Sequence, residues 1–200
     1  MEQHHIDIIA FTGHKSLLGP TGTGGLYVRD GVEIRHTRAG GTGVRSAERM
    51  HLDEYPYRLE YGTGNVVGIA GMYAGLKWIE EKGMDTIHKQ EMRLTRILRD
   101  GLNELDGVVL YCQNELTDHI AVISFNVDGM EALNVGTLLD GEYDIACRTG
   151  LHCAPLVHEQ LGTDRIGGAV RIGIGHFNTE DHIRTAIEAI GEIVDFQKKK

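Results

Sequence analysis

The chain has 200 residues, of which 41% are hydrophobic and 24% charged, and its formal net charge is −9. This length suits one large domain or two small ones, and the composition is ordinary for a globular protein. The negative charge argues against nucleic acid or an anionic membrane as the main partner, and no run approaches the roughly 18 apolar residues of a membrane span.

The cysteine content indicates the compartment. Cys112, Cys147 and Cys153 are an odd number at irregular spacing. This usage favours a reducing environment over a disulfide framework and leaves at least one thiol for chemistry. The first residues have neither the basic nor the apolar segment of a secretory signal. The sequence therefore predicts a cytoplasmic protein.

Two strands, a long loop and a helix are predicted for the first part of the chain. The Ile-rich run from Ile6 to Phe11 predicts a buried strand, and Leu26 to Val28 predicts a second one. Residues 35–65 are polar and aperiodic, which predicts a loop long enough to be functional. A helical pattern begins at Val66 and ends at Gly83. Its apolar face consists of Ile69, Met72, Tyr73, Leu76 and Ile79.

Helices and strands alternate in the rest of the chain. A helix from Asp85 to Leu105 has an apolar stripe, and a final helix follows Asn178 or Thr179, both good N-caps. The order predicts a small α+β domain in which helices cover a sheet, with Cys112 and Cys147 in its core. The elements between the two long helices are predicted strands at 108–111, 120–127, 144–148 and 169–174 and a short helix at 131–139.

The densest chemical signal lies between Phe11 and Gly25. Lys15 directly follows a predicted strand and precedes a glycine-rich loop. This placement puts an amine at the rim of a sheet, where partial desolvation favours its neutral, nucleophilic form. A surface lysine in a turn is the alternative. A phosphate-binding P-loop is excluded because the lysine precedes the glycines.

A second signal is the segment from Arg148 to Pro155. Its thiol, Cys153, is bounded by glycine and proline, with Arg148 and His152 nearby in sequence, and such surroundings can activate a cysteine. An inert, buried cysteine is the alternative. A zinc site made of His152, Cys153 and His158 is disfavoured, because no second ligand pair accompanies them. No metal is predicted.

Two further segments suit anions. Arg171 lies within an apolar strand, where a cation needs an anionic partner, so either a structural ion pair or a clamp on a substrate carboxylate would explain it. Gly62 and Thr63 precede a predicted helix, and a hydroxyl with free backbone N–H groups at such a place suits an anion.

These segments resemble those of class-V aminotransferase-like enzymes, and in particular the branch of cysteine desulfurases and selenocysteine lyases. Gly-His-Lys followed by Gly-Pro-x-Gly-x-Gly is similar to the family's cofactor-lysine segment. Arg-x-Gly-x-His-Cys-Ala is similar to its thiol loop, and Val-Arg-x-x-x-x-x-Phe-Asn-Thr to its substrate-arginine segment. The segments occur in the family's order and cover nearly the whole chain, so jointly they are specific.

The resemblance implies roles for individual residues. Lys15 carries pyridoxal 5′-phosphate as a Schiff base, and His14 lies near the cofactor phosphate. Cys153 takes sulfur from L-cysteine and holds it as a persulfide, from which a sulfur-acceptor protein could receive it.

Substrate binding and assembly are also implied. Arg171, assisted by Arg148, binds the substrate carboxylate. Gly62 and Thr63 belong to a segment that reaches the phosphate of the cofactor in the other subunit of a homodimer.

The implied fold class is α/β plus α+β. Residues 1–84 are expected to form part of the large cofactor domain of a fold type I pyridoxal-phosphate transferase, and residues 85–200 the small C-terminal α+β domain. Complete family members also have an N-terminal half, which supplies an aspartate for the pyridine nitrogen. The chain is therefore expected to be incomplete.

The predicted function is that of a pyridoxal-phosphate-dependent cysteine desulfurase, which converts L-cysteine to alanine. The alternatives are a class-V aminotransferase, a selenocysteine lyase, or a catalytically incomplete fragment that serves only as a structural or dimerisation unit.

Overall fold

The structure is a computed structural model that describes residues 4–111 and 115–199. The chain divides into two compact units between Gly83 and Met84. Cys112, predicted to be a core residue, lies outside the described residues. Within them, no helix combines the length and the apolarity needed to cross a membrane.

The first unit begins with a β-hairpin. Strand β1 (Ile8–Thr12) pairs antiparallel with strand β2 (Gly24–Val28). The two strand predictions are confirmed, but the predicted burial of the first strand is wrong, since Ile8 and Phe11 are 48% and 40% exposed. A two-stranded ribbon has no second layer on either face unless another element supplies one, so its apolar side chains stay accessible.

Helix α1 (Val66–Lys82) completes this unit and has the predicted bounds. The side chain of Asn65 caps its start by accepting a hydrogen bond from Gly68 N at 3.0 Å. At its end, Gly83 has a positive φ of 81° and its N–H donates to Ile79 O.

The face that α1 packs agrees only in part with the predicted one, of which Met72 and Ile79 are partly buried. Ile69 and Tyr73 are 55% and 62% exposed, whereas Gly68 is buried and Gly71 and Gly75 are partly buried. The turn between β1 and β2 approaches these glycines so closely that larger residues would not fit: a Cβ on Gly75 would lie 2.6 Å from Leu17 O. The packed face of α1 is therefore the one whose glycines let the turn approach the helix backbone closely, and not the most hydrophobic one.

The second unit is an α+β structure. Its strands form one antiparallel sheet in the order β3-β4-β6-β5. The strands are β3 (Val108–Leu110), β4 (Val122–Val127), β5 (Arg148–Gly150) and β6 (Ala169–Gly173). The helices are α2 (Met84–Asn103), α3 (Ala132–Tyr143), α4 (Pro155–Leu161) and α5 (Glu180–Lys198), and a 3-10 turn covers Asp164–Ile166.

One face of this sheet forms the core. Helices α2 and α3 pack on it, and α5 packs on both helices. The predicted apolar stripe of α2 is confirmed by Leu94, Leu98 and Leu102, which are fully buried. Thr179 starts α5 by accepting a hydrogen bond from His182 N at 3.3 Å, as predicted for an N-cap. Among the described residues, the other large apolar side chains that are fully buried are Phe125, Ile123, Leu139, Ile190, Val135 and Val170.

Two features of the second unit differ from the prediction. The strand expected at 144–148 lies at Arg148–Gly150, and Asp144 instead ends α3 in a left-handed conformation. Helix α4 was not predicted, because its seven residues are too few to show a period.

Gly168 closes the junction of β5 and β6, and its replacement should destabilise the chain strongly. Its φ is +92°, and a Cβ there would overlap the carbonyl group of Gly150. We expect Gly168→Ala to lower the free energy of unfolding by about 3 kcal/mol or more, measured by urea unfolding. Gly167→Ala is the matched control, because Gly167 has a similar φ of +80° with no atom within 4 Å. It should cost only about 1 kcal/mol. Equal effects would contradict the steric explanation.

Candidate active site

The turn that carries Lys15 is closed by backbone hydrogen bonds. Gly13 N donates to Thr23 O at 2.9 Å, and Leu18 N donates to Lys15 O at 3.0 Å. Gly19 N also donates to Gly13 O at 2.8 Å. Lys15 therefore lies on a defined turn between β1 and β2.

Helix α1 packs directly against this turn. A Cβ on Gly71 would lie 2.6 Å from Pro20 Cγ, and one on Gly13 would lie 2.6 Å from Met72 Sδ. Because the turn rests directly on the helix backbone, the position of Lys15 depends on α1.

Both His14 and Lys15 are exposed. The sequence predicted partial desolvation of Lys15 at the rim of a buried sheet. That prediction is wrong for this chain, because the hairpin is a ribbon whose side chains remain accessible. What the structure presents is an exposed amine and an exposed imidazole on consecutive residues of an ordered turn.

The segment that contains Gly62 and Thr63 lies just before α1. Gly62 has a positive φ of 77° and its N–H donates to Gly41 O at 2.6 Å, which ties the segment to the glycine-rich stretch of the long loop. Arg38 Nη1 donates to Tyr61 Oη at 2.7 Å. Gly62 and Thr63 are exposed. These contacts order part of the loop predicted at 35–65.

In the second unit, Cys153 lies on the turn between β5 and α4. Its thiol is exposed, and Arg148 Nη2 donates to its Sγ at 3.0 Å. His152 and Cys153 have φ values of 54° and 58°, so two consecutive residues other than glycine adopt the left-handed conformation. This conformation costs roughly 1–2 kcal/mol per residue and persists only where the surroundings enforce it.

Cys147 differs from Cys153 in its surroundings. It is half-buried against the core, and burial raises the pKa of its thiol, with a smaller contribution from Asp140. Because the thiolate is the nucleophilic form, Cys147 is poorly suited to attack a substrate at neutral pH.

Arg148 and Arg171 lie directly opposite each other in the β5–β6 pair. Like charges in this arrangement repel each other unless an anion lies between them. None of the ion pairs in residues 4–111 and 115–199 includes either arginine. Arg171 also pairs with Ser124 of β4, so the sheet face opposite the core has two guanidinium groups and a hydroxyl side by side.

The structure thus brings together Arg148, Cys153 and Arg171 in one unit, and His14 and Lys15 in the other. From the sequence, His158 was expected only as a disfavoured zinc ligand and Thr163 had no predicted role. Both of these polar side chains are buried next to the Cys153 turn. The part of the chain that is described contains no cluster of His, Cys, Asp and Glu suited to a metal ion.

Comparison with protein families gives a match to the model described as aminotransferase class-V over residues 1–185. A protein of Pyrococcus abyssi named "Probable cysteine desulfurase" is 36% identical over 192 residues, which are 94% of this chain and 47% of that protein. A protein of Shigella flexneri named "Cysteine desulfurase" is 32% identical over 94% of this chain and 45% of its own length.

Solved structures show the same similarity. The apo cysteine desulfurase of Thermococcus onnurineus matches with a TM-score of 0.82 and 33% identity, over 97% of this chain and 48% of that one. The cysteine desulfurase CsdA of Escherichia coli, in an S-sulfonic acid form, also has a TM-score of 0.82, with 28% identity over 98% of this chain. The chain spans about half the length of the curated relatives that it matches.

Proposed function

Because the chain belongs to the class-V aminotransferase family, we propose that it carries the lysine and the nucleophilic thiol of a pyridoxal-phosphate-dependent cysteine desulfurase. Its fold corresponds to about half of a fold type I transferase of this kind. The observation that carries the proposal is the hydrogen bond from Arg148 to the exposed Cys153 thiol. An exposed cysteine on an enforced left-handed turn beside a guanidinium has no evident structural purpose, whereas a nucleophile needs both access and a charged donor.

The donor set of the first unit fits pyridoxal 5′-phosphate. Lys15 offers an exposed primary amine for the cofactor's aldehyde, and the neighbouring His14 offers a hydrogen-bond donor for its phosphate. When bound, the cofactor supplies an electron sink for bond breaking at the substrate α-carbon.

Binding of the substrate falls to the second unit. Arg171 and Arg148 hold the α-carboxylate of L-cysteine, which relieves the repulsion between two opposed guanidinium groups. This fixes the amino acid at the sheet face opposite the core. Lys15, as general base and acid, moves the proton of the substrate α-carbon.

Sulfur transfer falls to Cys153. Its thiolate attacks the substrate sulfur, so an S–S bond forms as the substrate C–S bond breaks. The two sulfur atoms of the persulfide together lose two electrons, and the substrate β-carbon gains these two electrons and a proton to become the methyl group of alanine. L-cysteine and a thiol thus give alanine and a persulfide without any external oxidant.

A sulfur acceptor, a second subunit and a reducing compartment complete the proposed function. The exposed thiol could be reached by a sulfur-acceptor protein that removes the persulfide. The exposed Gly62–Thr63 segment is available to the cofactor phosphate of a second subunit in a homodimer. A reducing cytoplasm suits a reaction that depends on a free thiol.

The cofactor lysine can be identified directly. Borohydride reduction of the chain loaded with pyridoxal 5′-phosphate, followed by peptide mapping, should place the pyridoxyl group on Lys15. Lys15→Arg should remove the label, because a guanidinium does not form the same bond with the aldehyde. Lys77 and Lys82, on the exposed part of α1, are internal controls. Label on either of them in place of Lys15 would exclude the assignment.

A further inference from the structure

Two buried polar residues behind the Cys153 turn are not used in the proposed reaction. His158 on α4 is 3% exposed, and Thr163, just after that helix, is 1% exposed. A buried imidazole and a buried hydroxyl are retained in a small unit only when each has partners, because an unpaired polar group in the interior is costly.

The partners form a continuous chain of hydrogen bonds. His152 Nε2 lies 3.2 Å from Arg148 O, and His152 Nδ1 lies 3.3 Å from His158 Nε2. His158 Nδ1 lies 2.7 Å from Thr163 Oγ1. We call this set, Arg148 O, His152, His158 and Thr163, the histidine relay.

The hydrogen-bonding capacity of each partner determines which atom donates and which accepts along the relay. A carbonyl oxygen can only accept, so His152 Nε2 carries a proton and donates to Arg148 O. A neutral His152 therefore accepts at Nδ1 from His158 Nε2–H. A neutral His158 in turn accepts at Nδ1 from the Thr163 hydroxyl. This hydroxyl also has His158 O in range, but at 3.4 Å that contact is far longer than the one to Nδ1.

The surroundings favour a neutral His152. Burial lowers the pKa of its imidazole, and the positive charges of Arg171 and Arg148 lower it further, against a raising contribution from the bond to Arg148 O. Among the described residues, Arg171, His158 and Arg148 are the titratable and charged neighbours that act on the ring.

The relay is linked to the thiol through Arg148. Its carbonyl accepts from His152, while its guanidinium donates to Cys153 Sγ at 3.0 Å. His152 and Cys153, the two residues in the left-handed conformation, are thus both joined to Arg148, one through its carbonyl and the other through its guanidinium. The His152 ring therefore has a partner at each of its two nitrogens, one in β5 and one in α4.

We propose that His158 and Thr163 are positioning residues: the histidine relay holds His152 in one neutral tautomer and so keeps the left-handed turn that presents Cys153 to Arg148. The role of Cys153 as nucleophile rests on the proposed function, but the relay itself is a property of the second unit. A proton added to His152 Nδ1 faces the proton on His158 Nε2, so the relay must reverse or break.

The test uses one pair of variants at each relay position, in a Cys112→Ser, Cys147→Ser background where Cys153 is the single thiol. His158→Leu removes the donor to His152, whereas His158→Gln keeps an N–H of similar reach. Thr163→Val removes the hydroxyl at nearly constant shape, whereas Thr163→Ser keeps it. NMR of the imidazole nitrogens reports the tautomer and titration of His152, and iodoacetamide reports the reactivity of Cys153 across pH.

In the parent, His152 should be protonated at Nε2 only, and should titrate below the ordinary histidine range. His158→Leu and Thr163→Val should move this titration upwards and slow alkylation of Cys153 at neutral pH by about 2- to 10-fold, the effect of losing one ordinary hydrogen bond. His158→Gln and Thr163→Ser should stay within about twofold of the parent.

Equal behaviour within each pair, or an unchanged His152 titration in the folded His158→Leu variant, would overturn the proposal and leave His158 a packing residue. If His158→Leu does not fold, the Thr163 pair decides by the same criteria. Both measurements are made without cofactor or substrate, so their outcome does not depend on whether L-cysteine is desulfurised.

Discussion

Replacing Cys153 by alanine should abolish sulfur transfer from L-cysteine while leaving cofactor binding intact. In the proposed reaction, Lys15 and the cofactor need no thiol to bind the substrate or to move its α-proton, whereas breaking the C–S bond needs a sulfur nucleophile. We expect the complete enzyme to lose roughly a thousandfold or more in alanine formation, as for other essential nucleophiles. Cofactor absorbance should not change.

The other cysteines provide the controls for this experiment. Cys147 is half-buried and its thiol pKa is raised by burial, so Cys147→Ala should leave the chemistry intact and cost only some stability through a small cavity. Mass spectrometry after one turnover should find an added sulfur on the peptide that contains Cys153 and on neither other cysteine. Alanine formation by Cys153→Ala at the parent rate would replace the desulfurase by a lyase or a transaminase. If only selenocysteine were still cleaved, a selenocysteine lyase would be the better description.

Arg171→Lys should weaken the use of L-cysteine by about 2–4 kcal/mol in transition-state binding, measured as kcat/KM of the complete enzyme. An ammonium group cannot reproduce the two parallel hydrogen bonds of a guanidinium to a carboxylate. Arg171 is well placed for this role because it lies between Ser124 and Arg148 on the sheet face opposite the core.

Two comparisons isolate the carboxylate contact. Arg165→Lys, at an exposed arginine of the same unit, should leave kcat/KM unchanged. Cysteamine, which lacks the carboxylate, should be a poor substrate that Arg171→Lys does not weaken further. An unchanged kcat/KM for L-cysteine in Arg171→Lys would mean that Arg171 serves the structure alone.

Much of the fold could be predicted because local signals set the element bounds. Gly83 marks the end of α1, and Thr179 marks the start of α5. What could not be predicted depended on tertiary contacts. The packed face of α1 is set by the close approach of the turn at Leu17 to Pro20, and hydrophobic periodicity contains no information about such an approach.

The candidate site likewise has some features that could be predicted from local sequence and others that depend on tertiary contacts. The contact between Arg148 and Cys153 joins residues that are close in sequence, and the motif that contains both drew attention to each of them. The pairing of Arg148 with Arg171 follows from strand register, which required the sheet. The burial of His158 and Thr163 was not predicted, because a histidine and a threonine at the end of a short segment have no periodic signature. Only burial and hydrogen-bond geometry distinguish them from surface residues.

The glycines of α1 have a consequence for how the turn that bears Lys15 is formed. Gly68, Gly71 and Gly75 each lower the helix propensity of this segment by about 1 kcal/mol relative to alanine. A segment with such a low helix propensity does not form a stable helix as an isolated peptide, and it gains its stability from the residues that pack on it. The turn that packs on these glycines is the one that bears Lys15. We therefore expect the helix and the turn to fold and unfold as one cooperative element. Lys15 is then held in position only while α1 is formed.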